Sequence, residues 1–449
     1  MSAAANEPHL KRLLTVKDLV FFGIVLIQPI APVGIFGLSQ KMSHGHVSAT
    51  IVIAMVAMML TAFSYGRMAA LYPSSGSAYT YVSRGLGAHL GFLAGWAMFL
   101  DYLVIPLVNT AFCALTLGRV FPSVPYALWA VIFVAIITVL NLRGITTTAR
   151  ANTVLLVVMT AVIVAFVALA IRYLVDIAGW GSIFSYKPFY TPGKFELGPI
   201  ATATSVAALT YIGFDGITTL AEEVHNPKRS VLVAVVLVCF ITGAFSTIEV
   251  YLAQLVWPDY TKFTQADTAF LDVTLRVGGS WLFQAMSWVL IIACLGSGLA
   301  AQAGAARLLY GMGREKVLPR AFFGHLSPRT NIPNYNVILI SVVILAAIPL
   351  IDYERAATLV NFGAFLAFMG VNLATIREYY FRRRDGEPGV MADLLVPGLG
   401  FLFCLAIWLS LPLPAKIGGG AWLLIGLLFD AIKSRGFRVQ PVPIDFSDG

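Results

Sequence analysis

An all-α membrane protein of about twelve transmembrane helices is the fold this sequence predicts, on three observations. Only 12% of the 449 residues are charged and 59% are hydrophobic, against about 25% charged in a typical soluble domain. The charges cluster, leaving charge-free runs at 42–66, 120–142, 151–171, 197–214 and 277–306, with 394–429 broken only by Lys416; each is of the order of the roughly 20 residues that cross a bilayer. Helix-breaking residues recur at membrane depth in the first and sixth spans so defined.

Taken in order, the spans fall at about 18–40, 46–66, 86–117, 124–142, 151–175, 198–221, 230–256, 281–312, 333–351, 356–377, 394–412 and 418–433. The first sixteen residues are polar and basic, with no A-x-A-like cleavage site after a short apolar core, so no cleavable signal peptide is expected. With the N-terminus inside, 21 of the 30 lysines and arginines lie in or beside the inside loops. That is the positive-inside bias, and it puts both termini in the cytoplasm of a multi-pass protein of the cell (inner) membrane. The basic runs Arg382-Arg383-Arg384 and Arg314 to Arg320 are topology anchors, and the net charge of +8 therefore implies no nucleic-acid partner. The lipid bilayer is the expected partner.

The first span contains Ile27-Gln28-Pro29-Ile30-Ala31-Pro32-Val33-Gly34-Ile35-Phe36-Gly37. Proline lacks a backbone donor and clashes with the preceding turn, so regular helix is not expected to run through this stretch. The sixth span contains Tyr211-Ile212-Gly213-Phe214-Asp215-Gly216, two glycines bracketing an acid. Breaks five spans apart suggest two five-helix repeats of opposite orientation, the signature of a secondary transporter with its site at the breaks. The chain then divides into an inside tail (1–17), a first repeat (18–175), a second repeat (198–377), two further spans (394–433) and a second inside tail (434–449).

Acids inside the membrane are functional candidates, because a charge at the bilayer centre costs at least about 2.5–3.5 kcal/mol. Asp101 lies near the middle of the third span, Asp215 in the sixth-span break, and Glu249 toward the outer end of the seventh. No lysine or arginine stands at the depth of Asp101 or Asp215; Arg307 lies toward the inside end of the eighth span. Unpaired acids facing a cavity favour a cation or a proton, and Tyr102 offers a hydroxyl or an aromatic face to an ammonium group. Cys113, Cys239, Cys294 and Cys404 stand alone in apolar stretches and read as small buried hydrophobes. His44 and His46 share a loop, and no metal set is expected.

The motifs then carry a resemblance. Ser64-Tyr65-Gly66, Pro73-Ser74-Ser75-Gly76-Ser77-Ala78-Tyr79-Thr80-Tyr81, Gly91-Phe92, Gly95-Trp96 and Asp101-Tyr102 make up its first part. Gly213-Phe214-Asp215, Glu222-Glu223, Asn226-Pro227-Lys228-Arg229, the run from Ala306 to Arg314 and Asn361-Phe362-Gly363-Ala364 make up its second. Together these strings, each weak alone, resemble the amino acid–polyamine–organocation superfamily, and within it the putrescine importers, over most of the chain. The resemblance implies a LeuT-like five-plus-five inverted repeat and alternating access.

In amino acid carriers of that superfamily a small Gly-Ser-Gly-like segment in the first break binds the substrate carboxylate. The matching residues here are Pro32-Val33-Gly34, next to Ala31. Proline has no N–H and valine no hydroxyl, so this nest is impoverished. The carbonyls around Tyr211, Ile212 and Gly213, before Phe214, accept the substrate ammonium by the same resemblance. A gained acid at Asp101 and a weakened nest point to an amine or diamine rather than a zwitterionic amino acid, with the amino acid permease or exchanger as the alternative. Some proton-coupled relatives carry a lysine in the fifth span where this chain has Met159. Proton coupling through that lysine is excluded, and coupling through Asp101, Asp215 or Glu249 stays open. A sodium site near Ser297 is the weaker alternative to a proton, and no cofactor is expected. An intramembrane enzyme would need a nucleophile–base pair or metal set at one depth, and none is visible in the sequence; a channel or receptor has no need of matched broken helices.

Overall fold

The computed structural model describes residues 14–73, 76–144, 149–224, 226–314, 318–328, 330–383, 387 and 389–440. Ser74, Ser75, Arg384, residues 315–317 of the second basic run and the outer parts of both tails lie outside them. The described elements are helical: α1 Val16–Ile27, α2 Ala31–Met42, α3 Val47–Leu71, α4 Ser77–Gly85, α5 Ala88–Val120, α6 Tyr126–Leu142, α7 Ala149–Ala178, α8 Leu197–Ala207, α9 Pro227–Val256, α10 Ala269–Arg314, α11 Arg320–Phe323, α12 Asn334–Ala347, α13 Tyr353–Thr375, α14 Val396–Leu409 and α15 Leu413–Lys433.

Among the described residues nine helices are long and apolar enough to cross a bilayer, and the bent pair α1 and α2 makes ten. The fourth and ninth expected spans are the shorter apolar helices α6 and α12. The ninth, expected over 333–351, is helical only over Asn334–Ala347. The eighth, expected to begin at 281, begins just after Gly279, where non-helical backbone (φ 67°, suited to a residue without Cβ) separates it from a shorter helical stretch that starts at Ala269. Charge-free length located these spans, but helices do not end where charge begins.

Burial separates a central layer from a peripheral one. The apolar stretch of Tyr353–Phe381 is 72% buried and that of Ala88–Val120 67%, whereas Ala151–Ala178 and Leu413–Lys433 are each 22% buried. Val157 on α7 and Leu424 on α15 are correspondingly exposed, as suits side chains whose solvent is lipid. Helix α15 is nevertheless pinned to α5 by a reciprocal pair: each indole of Trp96 and Trp422 donates to the other's carbonyl oxygen at 2.9 Å, with the rings stacked at 4.8 Å.

Both expected breaks are present. Helix α1 ends at Ile27, Gln28 takes φ 61°, and α2 leaves at 52° to α1. The irregular backbone is confined to 28–30, narrower than the expected stretch. Pro32, Val33 and Gly34 are helical, because proline in the first turn of a helix removes a donor that has no intrahelical partner there anyway. In the sixth span α8 gives way to a 3₁₀ turn, Ala208–Tyr211, then to extended Ile212 and Gly213 at φ 115°. It resumes as a 3₁₀ helix, Phe214–Glu223.

Candidate functional site

The broken segments are braced rather than loose. Phe214 is fully buried in an aromatic cluster, edge-to-face with Tyr65 (5.3 Å) and tilted against Phe368 (5.2 Å), so the residue after the Gly213 turn is anchored in the core. The Tyr211 hydroxyl donates to the Ile51 carbonyl at 2.9 Å. Helix α1 lies on Phe214–Glu223 through two glycines: a Cβ on Gly216 would stand 2.8 Å from Leu26, and one on Gly23 would strike Ile217. Below them the Leu14 N–H donates to the Glu223 carbonyl at 3.0 Å.

A cavity of about 330 Å³ opens beside this assembly, within the range of small-molecule sites. Asp215, Gly216 and Thr219 form one wall, Met98 and Tyr102 of α5 a second, and Gly304 and Arg307 of α10 a third. Gly76, Gly144 and Asn331 border it from three loops. Even numbers of long helices separate those loops in sequence, so they gather at one end of the bundle.

The sequence-chosen residues divide between two places. Asp215, 8% exposed, and Tyr102 meet on this cavity. Arg307, set apart from the acids on sequence depth, lines it too; a base and an acid thus face one void. Asp101 precedes Tyr102 but points away, toward α13. It is 3% exposed, and neither carboxylate oxygen has a hydrogen-bond partner among the described residues.

At the start of α2 the backbone donors are absent or engaged. The Ala31 N–H donates to the Gln28 carbonyl (3.0 Å), Pro32 has none, and the Val33 N–H donates to the Ile30 carbonyl (3.1 Å). Gly34 is packed close to the Tyr353 hydroxyl and the Phe112 ring. Neither this segment nor Tyr211, Ile212 and Gly213 borders the cavity. Ser297 accepts from Asn109 Nδ2 at 3.0 Å, and Gln28 Nε2 donates to the Ala293 carbonyl at 3.4 Å, so α10 is tied to α5 and to the first break. Met159 is a buried core residue. Glu249 is 1% exposed on α9, with both oxygens unpartnered among the described residues.

Sequence reasoning passed over a buried amide network behind the cavity. Asn141 Nδ2 donates to Gln302 Oε1 at 2.7 Å, and Gln302 Nε2 donates to Ser341 Oγ at 2.9 Å. Thr138 and Ser341 hydroxyls pair at 2.7 Å. These residues join α6, α10 and α12, and Asn141 reaches the cavity wall. Neutral amides and hydroxyls scattered over three helices leave no spacing signal. Among the described residues no group of three or more His, Cys, Asp or Glu is placed to hold a metal.

A family model described as amino acid permease matches residues 25–411. The chain is 34% identical over 443 residues to the low-affinity putrescine importer PlaP of Escherichia coli strain K12, covering 98% of this chain and 97% of that one. It is 27% identical over 465 residues to the branched-chain amino acid permease BcaP of Lactococcus lactis subsp. cremoris, covering 94% of each. It is 29% identical over 408 residues to the vacuolar cationic amino acid transporter 4 of Arabidopsis thaliana, covering 85% of this chain and 66% of that one.

Proposed function

Because the chain belongs to the amino acid permease family, and is therefore a transporter rather than an enzyme, we propose that it imports a small cationic amine, putrescine or a related polyamine, by alternating access. The observation that carries this reading is the Asp101 carboxylate, buried with neither oxygen paired. A buried, unpaired carboxylate is strongly disfavoured unless a proton or a cation neutralises it. An ammonium group supplies the cation in a conformation that opens Asp101, here turned to α13, to the cavity lined by its neighbour Tyr102; the start of α2, with its donors absent or engaged, offers little to a carboxylate. The 34% identity to a putrescine importer over nearly the whole chain supports the same substrate class.

In this reading twelve spans form two inverted five-helix repeats, 18–175 and 198–377, followed by two further spans, with both termini in the cytoplasm. The cavity is then open to the cytoplasm, and Asp215 at its wall exchanges a proton in step with substrate. The Gly213 turn lets α1 and Phe214–Glu223 move as a unit, because Gly23 and Gly216 already pack them together.

One observation favours a second reading, an amino acid permease or exchanger: Asp215 and Arg307 line the same cavity, an acid–base pair of the kind a zwitterion engages. A thermal-shift screen of purified protein against diamines, polyamines and amino acids separates the two, since a ligand of the folded state raises its apparent stability. Stabilisation by putrescine or spermidine and not by leucine or arginine is the expected result. Stabilisation by amino acids alone would establish the second reading and sink the first.

A further inference from the structure

Helices α3 and α9 run antiparallel in a register fixed by three contacts. A Cβ on Gly66 would press on Leu232, a Cβ on Gly243 would press on Met55, and Gln254 Nε2 donates to the Gly45 carbonyl. This register sets Glu249 level with Ala49, hence beside Ser48, and Ser246 stands one turn from Glu249 on the same face of α9. Ser48 and Ser246 are fully buried, and neither hydroxyl has a hydrogen-bond partner among the described residues; the same holds for both Glu249 oxygens. Three orphaned polar groups thus occupy one level of an otherwise apolar interface.

The ionisable groups on neighbouring elements lie elsewhere. On α9 itself Tyr251 is turned to the Ile183 and Ser185 carbonyls. The nearest at α3 is its buried N-cap His46, about one turn from Ala49, whose Nε2 accepts from the Thr191 N–H at 3.1 Å and whose Nδ1 lies 2.8 Å from the Ser43 carbonyl; Tyr65 and Arg67 follow four turns or more toward the other end. Lys41 of α2 is exposed, and Arg172 and Asp176 of α7 pair with each other at the surface. Asp272 of α10 pairs with Arg119, and Arg276 stacks over Trp257. Lys17 and Asp18 of α1, and Asp215, Glu222 and Glu223 of the broken span, belong to the opposite half of the molecule. With no counter-charge at its level and no hydrogen bond to its oxygens, the Glu249 carboxyl is accommodated as the neutral acid.

We infer that Glu249, with Ser48 and Ser246, is a proton-binding site in the half of the molecule remote from the cavity, loaded in the present conformation and emptied in another. The inference rests on the reading of the chain as a proton-coupled carrier and adds a second site to Asp215. The site lies about 33 Å along α9 from Pro227, whereas Asp215 is at the cavity. It has a mechanical route to the broken span: two turns nearer the cavity, Gly243 packs against both Met55 and the Tyr211 hydroxyl, and that hydroxyl is bonded to Ile51 of α3. Deprotonation places a charge in the α3–α9 interface, and relieving it shifts the two helices that hold Tyr211.

Glu249→Gln tests the site, because glutamine keeps the shape and neutrality of the loaded acid and cannot release a proton. Purified wild type and variant in liposomes are compared with radiolabelled putrescine in two assays, accumulation driven by a pH gradient and counterflow without one. The expected result is loss of gradient-driven accumulation with counterflow retained. Accumulation at the wild-type level overturns the site. So does loss of both activities in a variant that keeps the putrescine-induced thermal shift, since that outcome makes Glu249 a requirement for transit rather than a proton donor. If the wild type carries no putrescine in either assay, the amine reading fails, and infrared spectroscopy decides the site separately. A protonated-carboxyl C=O band present in wild type at neutral pH and missing from Glu249→Gln supports it; identical spectra overturn it. Should Glu249→Gln not reach the membrane, Ser48→Ala and Ser246→Ala take its place. Each is expected to move the pH profile of accumulation, and unchanged profiles in both overturn the site.

Discussion

Gly363 of α13 faces the Asp101 carboxylate of α5 at a distance that leaves no room for a side chain. A Cβ at 363 would stand 2.8 Å from Asp101 Oδ1 and closer still to the Ala97 carbonyl oxygen. The obstacle at Ala97 is backbone, which cannot rotate away as a flexible side chain can. Gly363→Ala should therefore separate α13 from α5, lowering stability by about 1–3 kcal/mol, the range for overpacked cores. Thermal unfolding in detergent measures the loss, and an unchanged midpoint would show that the two helices do not pack this closely.

Asp101→Asn keeps the shape of the side chain and removes its charge. Amine uptake should be abolished or severely weakened while insertion and yield are kept. Uptake by purified variant in liposomes is the measurement, and near-normal uptake would end the proposed role of Asp101 as the ammonium partner.

Asp215→Asn should act differently, altering the pH dependence of transport more than the choice of substrate. Initial rates taken across a pH series, with putrescine and a panel of competitors, separate the two effects. A variant whose pH profile matches the wild type would remove Asp215 from coupling.

Restoring donors at the start of α2 tests why a carboxylate is poorly held there. Pro32→Gly with Val33→Ser supplies one backbone N–H and one hydroxyl where the chain has neither. Binding of a carboxylate-bearing substrate, measured by competition, should tighten. A double variant with no gain in amino acid affinity would count against this account of substrate choice.

Arg67 joins three elements: it pairs with Asp393 at 2.6 Å, its guanidinium lies 3.8 Å over the Tyr379 ring, and its carbonyl accepts from the Tyr379 hydroxyl at 2.7 Å. Arg67→Ala leaves the Asp393 carboxylate, 6% exposed, without its counter-charge and with the Gly389 N–H at 2.8 Å still donating to it. It should cost ~2 kcal/mol, between the exposed and fully buried limits for ion pairs. Chemical or thermal unfolding of Arg67→Ala and of Arg67→Ala with Asp393→Asn checks this: the double variant should recover part of the loss.

Much of this architecture was legible in the sequence because lipid punishes charge and proline punishes helix. The spacing of Lys and Arg located the spans, and Gln28-Pro29 and Gly213 located the breaks. Pro32 misled, since a proline marks a break in a helix interior and a beginning in its first turn. The partners of Asp101 were not legible: that it faces Gly363 while Tyr102, its neighbour, faces the cavity depends on how α5 is rotated against α13 and α10, and helices buried all round give no amphipathic stripe to fix that rotation. Arg307 was misjudged for a related reason. Its depth in sequence places it at a helix end, but the cavity comes out to meet it.

The winding of Phe214–Glu223 sets a length. Ten residues in 3₁₀ form rise about 20 Å, whereas the same ten as α-helix rise about 15 Å. The segment is thus drawn out by ~5 Å relative to its α-helical form, close to one full α-helical turn. It is held at one end by Phe214 in its aromatic cluster and at the other by the Leu14–Glu223 hydrogen bond, so its winding fixes the distance between those two points. Rewinding it to α-helix would shorten that distance by the same stroke and slide Gly216 and Ile217 past their contacts on Leu26 and Gly23.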